Sequence, residues 1–283
     1  MKVLIIGGNS SLGLELNLFL KSSYEVFTAG RSDCDIYLDL SESCDSEIDF
    51  KCDVVILTAA VFGGNTLNSY ENNIIVNVLG TARSIKMANK FGAKHFILIS
   101  SMSIFLNKIS PNYRIYSITK KQSEVIAEFV TYSINMPLTI LRPSQLYSEN
   151  ESFKKHQPLL YKIIECVEVN KDITFHGKKN SMRNYLHVND FNEIIRRVID
   201  LKVIGNFDCV NTKSTTLIET FNAAINAFNS KSNYHFDNSK DDIFENIFQA
   251  DLDFLKKIDF EPQIDIIKGM KMIANSKNKY NYV

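Results

Sequence analysis

Tyr116 and Lys120 stand four apart in the string Tyr116-Ser117-Ile118-Thr119-Lys120. On a helix, residues i and i+4 share a face, so both side chains point the same way. Ser101 comes 15 residues earlier, just after the apolar run Phe96-Ile97-Leu98-Ile99-Ser100. With 12 Tyr and 25 Lys in 283 residues, chance alone yields about one such tyrosine–lysine spacing, so its context has to carry the argument. A serine at the C-terminal end of a strand, with Tyr and Lys on the next helix, is suited to proton transfer. Ligands of parallel sheets bind at those strand ends. A free tyrosine titrates near 10, about three units above neutrality, and a neighbouring ammonium would stabilise its phenolate.

A second cluster lies at the start of the chain. Gly7-Gly8-Asn9-Ser10-Ser11-Leu12-Gly13 follows an apolar run, Lys2–Ile6, and precedes a helical pattern. In that context the turn suits a dinucleotide. Gly7 permits the tight turn, Gly13 permits close packing of helix and strand, and the helix N-terminus offers free N–H groups to a pyrophosphate. Ser10 occupies the middle glycine position. The second apolar run ends in Ala29-Gly30-Arg31-Ser32, where a site preferring NAD usually places a carboxylate. Arg31 matches a 2′-phosphate instead, which favours NADP over NAD as cofactor and leaves NAD possible. Asp39 and Leu40 are placed to face an adenine ring, and Thr58-Ala59-Ala60 closes a strand beside the expected cleft.

These residues need a scaffold, and the spacing of apolar residues supplies one. Strand-like runs at Lys2–Ile6, 24–28, 53–58, 96–100 and 138–141 alternate with helical patterns at 14–20, 74–89 and 124–133, the last starting near residue 113. Such alternation predicts an α/β protein, a Rossmann-type doubly wound parallel sheet, with a smaller C-terminal substrate lobe. Residues 1–147 form the expected dinucleotide-binding domain, with 185–211 returning to it. Residues 148–184 and 212–283 form the substrate lobe. Within these later parts, helices are expected at 158–169, 190–201 and Leu217–Phe228, and a strand at 206–210.

Composition excludes several classes. Lys plus Arg and Asp plus Glu both number 32, so no excess charge points to a nucleic-acid backbone or an anionic membrane surface. Apolar residues make up 45% and charged residues 23%, as in globular proteins. The cysteines Cys34, Cys44, Cys52, Cys166 and Cys209 are odd in number and contain no C-x-x-C pair. Neither a disulfide framework nor a metal site is signalled. No apolar stretch approaches the roughly 20 residues of a membrane span, and the short run before Gly7 is no signal-peptide core. A cytoplasmic protein is expected, with His95 and His176 in turns.

Taken in order, the motifs resemble the extended short-chain dehydrogenases/reductases, the NAD(P)-dependent nucleotide-sugar epimerase, dehydratase and reductase group. Gly7 to Gly13 is similar to that family's glycine turn, and Asp39-Leu40 to its adenine-side pair. Asn77-Val78-Leu79-Gly80-Thr81 resembles its N-x-x-G-T helix. Ser100-Ser101, then Tyr116 with Lys120, resemble its strand-end serine and reacting pair. Leu141-Arg142-Pro143 followed by Tyr147 resembles the R-P-x-x-x-Y segment, and Arg183-Asn184-Tyr185-Leu186-His187-Val188-Asn189-Asp190 the R-D-x-x-H-V-x-D run.

The resemblance implies roles. Tyr116 is then the general acid/base, Lys120 holds the nicotinamide ribose and tunes Tyr116, and Ser101 bonds the reacting oxygen. The cofactor set is Gly7, Asn9, Ser10, Ser11, Leu12, Gly13, Arg31, Ser32, Asp39, Leu40, Thr58, Ala59, Ala60, Asn77, Ile99, Tyr116, Lys120, Pro143 and Ser144. The substrate set is Ser101, Met102, Ser103, Gln145 and Arg183, with Arg183 on a phosphate. His187 is read as structural.

The chain also departs from the family pattern. The family's 4,6-dehydratases carry an Asp-Glu pair where Met102 and Ser103 stand, and neither of these residues acts as acid or base at neutral pH. The interval from Ser101 to Tyr116 is short, and residues 198–283 contain no Arg. The leading expectation is an oxidoreductase that reduces the 4-keto group of a nucleotide-linked sugar. A nucleotide-sugar 4-epimerase is the alternative, and a non-catalytic NADP-binding regulator a third reading. The resemblance also implies a homodimer through the helices at 74–89 and 113–133.

Overall fold

The structure, a computed structural model, describes residues 1–42, 48–245 and 247–280. The strands are β1 (Lys2–Ile6), β2 (Glu25–Gly30), β3 (Ile36–Tyr37), β4 (Val54–Leu57), β5 (His95–Ile99), β6 (Leu138–Pro143), β7 (Gln145–Tyr147), β8 (Ile173–His176), β9 (Met182–Arg183), β10 (Tyr185–His187), β11 (Gly205–Cys209), β12 (Thr215–Thr216) and β13 (Tyr234–Asp237). The α-helices are α1 (Ser11–Leu20), α2 (Leu67–Asn73), α3 (Gly80–Lys90), α4 (Ile115–Ser133), α5 (Pro158–Glu168), α6 (Val188–Leu201), α7 (Leu217–Phe228), α8 (Asp253–Lys257) and α9 (Ile266–Tyr280). The described chain divides into two compact units. One comprises residues 1–143 and 192–209, the other 144–191 and 210–283. The expected divisions were 147 and 185–211.

The first unit is built on a seven-stranded sheet in the order β11-β6-β5-β4-β1-β2-β3. All its pairings are parallel. The order reverses between β1 and β4, the switch point of a doubly wound Rossmann-type sheet. Strands covered on both faces must be apolar throughout, and Val3, Leu4, Ile5, Phe96, Ile97 and Leu98 have no exposed surface. Helix α1 is seated on the sheet by Leu12, Leu16 and Leu20, while Leu14 and Leu18 face outward. The helix expected at 74–89 is longer. It runs from α2 through a π-helical turn, Ile74–Leu79, into α3. That turn holds Asn77, which apolar spacing alone does not reveal.

The second unit uses short strand pairs. β7 lies parallel to β10, β9 antiparallel to β12, and β8 parallel to β13. Helix α7 packs against α5 and α9. Around them Phe175 lies 5.6 Å from Phe236, and Phe221 5.4 Å from Tyr234, as paired rings. Helix α7 keeps its expected bounds because Thr216 and Glu219 form a reciprocal cap at its start.

His95, expected in a turn, is the first residue of β5. It is buried against the Thr139 hydroxyl at 2.8 Å, and burial lowers its pKa to about 4. His176 is the last residue of β8. Cys34, Cys52, Cys166 and Cys209 are free thiols, and Cys44 lies outside the described residues. Among the described residues no helix is long and apolar enough to cross a membrane, and no group of three His, Cys, Asp or Glu is placed to hold a metal.

Candidate active site

The turn after β1 is shaped by what its glycines lack. Gly7 has φ +94°, and a Cβ there would stand 2.5 Å from the Ala59 amide nitrogen. A Cβ on Gly13 would stand 2.1 Å from the Gly7 carbonyl oxygen. Only bare backbone fits, so the turn packs directly on Ala59 and the start of α1 directly on Gly7. Ser10, at the middle glycine position, caps α1. Its hydroxyl accepts from the Gly13 N–H at 3.0 Å and pairs with the Thr58 hydroxyl at 3.2 Å. Thr58 in turn donates toward the Ile6 and Gly7 carbonyls, each at 3.1 Å. Ser10 and Thr58 thus fasten the end of β4 to the turn. Ser11 and Leu12 are buried on the first turn of α1.

At the end of β2, Asn9 donates to the Ser32 hydroxyl at 3.1 Å, and Arg31 is exposed. Two carboxylates follow closely, but one is already engaged. Asp35 accepts from the Thr28 N–H and hydroxyl, both at 2.8 Å, and these bonds hold its carboxyl below the usual range. Asp33 is exposed. Asp39 accepts from the Ser41 N–H and hydroxyl, which lower its pKa. The buried Leu40 lies against Gly80, where an added Cβ would touch it at 3.1 Å.

The π-helical turn places Asn77 as a brace. Its side chain exchanges hydrogen bonds with the Val61 backbone, accepting at 2.8 Å and donating at 3.0 Å, and also donates to the Thr119 hydroxyl at 3.0 Å. Its carbonyl accepts from Thr81 and Ser123, each at 2.6 Å. Asn77 therefore ties the loop after β4 to α4, with its amide already engaged.

Tyr116 and Lys120 share one face of α4. The Lys120 ammonium is buried and donates to the Ile99 carbonyl at 2.5 Å. Burial lowers its pKa to about 8, against an upward pull from Glu124. Tyr116 keeps part of its surface accessible. Burial of its phenol end raises the pKa above the ordinary value, and a hydrogen bond from the Ser101 hydroxyl offsets part of that rise. Ser101 is held in turn because its oxygen accepts from the Ser103 N–H at 3.1 Å, capping a 3-10 turn at Met102–Phe105. Beside it, the Ser100 and Ser103 hydroxyls are buried without partners.

Sequence reasoning missed three parts of this site. The Phe62 ring stacks on Tyr116, with centroids 4.4 Å apart and an interplanar angle of 22°. Glu124, one turn beyond Lys120, grips Arg142 in a two-pronged pair at 3.0 and 2.7 Å. Arg142 also faces Asp208 at 3.5 Å and lies over the Phe105 ring at 5.3 Å. The i+4 spacing of Lys120 and Glu124 was a readable signal for the second; nothing local announced Phe62 or Asp208.

The remaining predicted residues lie in the second unit or at its edge. Pro143 ends β6. The Ser144 hydroxyl and the Gln145 side-chain oxygen are buried without partners, while the Gln145 amide donates to Gln157 at 2.7 Å. Arg183 is buried, and one of its nitrogens donates to the Phe244 carbonyl at 2.5 Å. Burial lowers its pKa, against Tyr185 and Glu245. His187 accepts from the Asn189 N–H at 3.2 Å and faces Glu149 at 3.3 Å. A cavity of about 430 Å³ in this unit is bordered by Asn211, Lys213, Asn222 and Asp265, and none of the predicted residues lines it.

The sequence model described as the NAD dependent epimerase/dehydratase family matches residues 3–207. Protein CapI of Staphylococcus aureus is 22% identical over 282 residues, covering 89% of this chain and 82% of CapI. Among solved structures, RMD from Pseudomonas aeruginosa, complexed with NADPH, superposes with a TM-score of 0.77 at 14% identity, covering 99% of each chain. UDP-glucuronic acid 4-epimerase from Bacillus cereus, in complex with NAD, gives a TM-score of 0.74 at 16% identity, covering 99% of this chain and 98% of its own. At such identities the superpositions establish the fold.

Proposed function

The chain belongs to the NAD-dependent epimerase/dehydratase family, and on that premise we propose that it reduces the 4-keto group of a nucleotide-linked sugar. The observation that carries this reading is the Tyr116 phenol, which the Ser101 hydroxyl bonds just beyond the end of β5 and which shares a face of α4 with Lys120; burial keeps it protonated. A phenol kept protonated is ready to donate, as a reductase requires. When bound, the nicotinamide supplies the hydride. Ser101 holds the reacting oxygen, and Tyr116 gives it a proton. Met102 and Ser103 leave water elimination without an acid–base pair.

The bare glycine turn and the start of α1 fit a dinucleotide pyrophosphate, with Ser10 and Asn9 beside it. Arg31 is exposed directly after β2, and its planar fork suits a 2′-phosphate at the ribose end, while Asp35 is engaged by Thr28. That supports NADPH. Arg183 is the group we assign to a substrate phosphate, with the nucleotide taken as a uridine diphosphate on the strength of the name of the Bacillus cereus relative. We further infer a homodimer through α3 and α4, supported by the exposed Val125, Phe129 and Tyr132 on α4. Sedimentation at a single monomer mass would end that inference.

A second reading, 4-epimerisation, draws support from the Bacillus cereus relative that carries this activity in its name. One assay separates the readings. The purified protein is given NADPH or NADH with a UDP-linked 4-keto sugar, and separately with a UDP-hexose. Stoichiometric loss of NADPH with the keto sugar is the expected result. Interconversion of 4-epimers without net cofactor consumption would replace the reductase by an epimerase. Cofactor binding without any turnover would leave the regulatory reading.

A further inference from the structure

Phe62 is large, apolar and 52% exposed, yet it is held firmly. The loop that carries it is fixed on both sides. Val61 exchanges two hydrogen bonds with Asn77, and the Gly63 carbonyl accepts from Asn73 at 2.9 Å. Gly63 and Gly64 follow at φ +65° and +100°, so the chain turns away at once. A Cβ on Gly64 would strike Ser69 at 2.3 Å. The fixed ring lies nearly flat on Tyr116, with centroids 4.4 Å apart and planes 22° from parallel. Asn77 also bonds Thr119, three residues beyond Tyr116 on α4. Both partners of the stack therefore hang from one asparagine.

A residue that only filled the core would be covered, whereas this one keeps half its surface open and spends its flat face on the reacting tyrosine. We propose that Phe62 is a positioning residue, which sets the plane of the Tyr116 ring and shields one face of the phenol from water. Its consequence for turnover rests on the reductase reading above; its hold on Tyr116 does not. A tyrosine bonded only through its hydroxyl can still tilt about its side-chain torsions. Small errors in tilt displace the donated proton, and misplacement of that kind is costly in rate. The shield also acts on protonation, because a phenol with less contact to water resists ionisation. The groups around that phenol are few. Ser101 bonds it, and Lys120 is the cation on the same helix face. Residues 58–66 and 101–106 contain no charged side chain.

The test uses the full-length protein with Phe62→Ala, Phe62→Leu and Phe62→Tyr. Tyrosine-labelled NMR spectra, in which the Tyr116 ring signal is identified by its loss in Tyr116→Phe, read the stack without substrate. The ring signal is expected to move downfield in Phe62→Ala and Phe62→Leu as the ring current of Phe62 is removed, and to stay in place in Phe62→Tyr. With a keto sugar, kcat is expected to fall about tenfold in Phe62→Ala and Phe62→Leu, with KM within about twofold, since orientation and not binding is lost. Phe62→Tyr is expected to restore kcat. Leucine keeps apolar bulk, so it serves if alanine fails to fold. An unmoved Tyr116 signal, or an unchanged kcat in both truncations, would overturn the proposal. If the signal moves but the parent protein reduces no keto sugar, the reductase reading fails and the hold on Tyr116 stands alone.

Discussion

Tyr116 and Tyr147 are the same chemical group in two different settings, one in each unit. Burial is the main cause that raises the pKa of both. Around Tyr116 the other influence is a hydroxyl that donates to the phenol, and the ring lies against a half-exposed aromatic. Around Tyr147 the further influences are the carboxylates of Asp190, Asp265 and Glu149, each pushing the pKa up. Its hydroxyl donates to the Asp265 carbonyl at 3.3 Å, its ring meets His187 edge-on, and it has no exposed surface. The lesson is that a raised tyrosine pKa does not identify a reacting tyrosine. What separates the two is the fate of the proton. Tyr147 spends it on a backbone carbonyl, whereas the Tyr116 phenol is bonded by the Ser101 hydroxyl, with Lys120 one turn further along the same face of α4.

Exchanging each hydroxyl for hydrogen puts that distinction under the heaviest load. Tyr116→Phe is expected to lower turnover by about 10²–10⁴-fold, the usual worth of a general acid, with the melting temperature nearly unchanged. Tyr147→Phe is expected to keep turnover within a few-fold and to lose about 1 kcal/mol of stability, one hydrogen bond's worth. Steady-state kinetics and urea unfolding on the same two preparations read both quantities. A large rate loss in Tyr147→Phe, or none in Tyr116→Phe, would collapse the distinction.

The two settings were unequally readable. Tyr116 and Lys120 announce themselves because helical spacing is local, and the glycine turn because it sits between a strand and a helix. Helix α7 could be bounded to the residue because its cap is written in Thr216 and Glu219. The pairs β9–β12 and β7–β10 could not, since two or three residues give no usable period. The helical pattern at 74–89 was readable, but apolar spacing does not show the π-helical turn within it that places Asn77. Phe62, Asp208 and the engagement of Asp35 depend on partners distant in sequence or on side-chain direction, neither of which the order of residues displays.

Lys120 sharpens the comparison from the first unit's side, because Tyr147 has no lysine one turn away. The Lys120 pKa falls from 10.5 to about 8, mainly through burial, in a side chain 4% exposed. Between those values the unfolded chain binds more protons at this group than the folded one does. Its contribution to stability therefore rises as pH rises through that window and is least favourable below it. Replacing it by Lys120→Met removes the titration. The stability of the parent relative to Lys120→Met is expected to improve by about 2–3 kcal/mol between roughly pH 7.5 and pH 10. Urea unfolding at the two pH values measures it. A flat difference would mean that the ammonium is better solvated than its burial implies.

The smallest effect tests how tightly the second setting is closed. Gly269 lies within α9, and a Cβ there would stand 2.0 Å from the Tyr147 hydroxyl oxygen and 2.7 Å from two of its ring carbons. A ring with no exposed surface has nowhere to retreat, so Gly269→Ala overpacks the site at a cost of about 1–3 kcal/mol. Alanine recovers about 1 kcal/mol of that through its better helix propensity. The net expectation is a loss of up to about 2 kcal/mol, read by thermal or urea unfolding. Adding Tyr147→Phe removes the nearest atom but leaves the two ring carbons, so the double variant should lose less than the sum of the single losses. Simple additivity would show that α9 shifts to make room. Tyr147 would then be set in a yielding pocket, and the contrast with the braced stack on Tyr116 would widen.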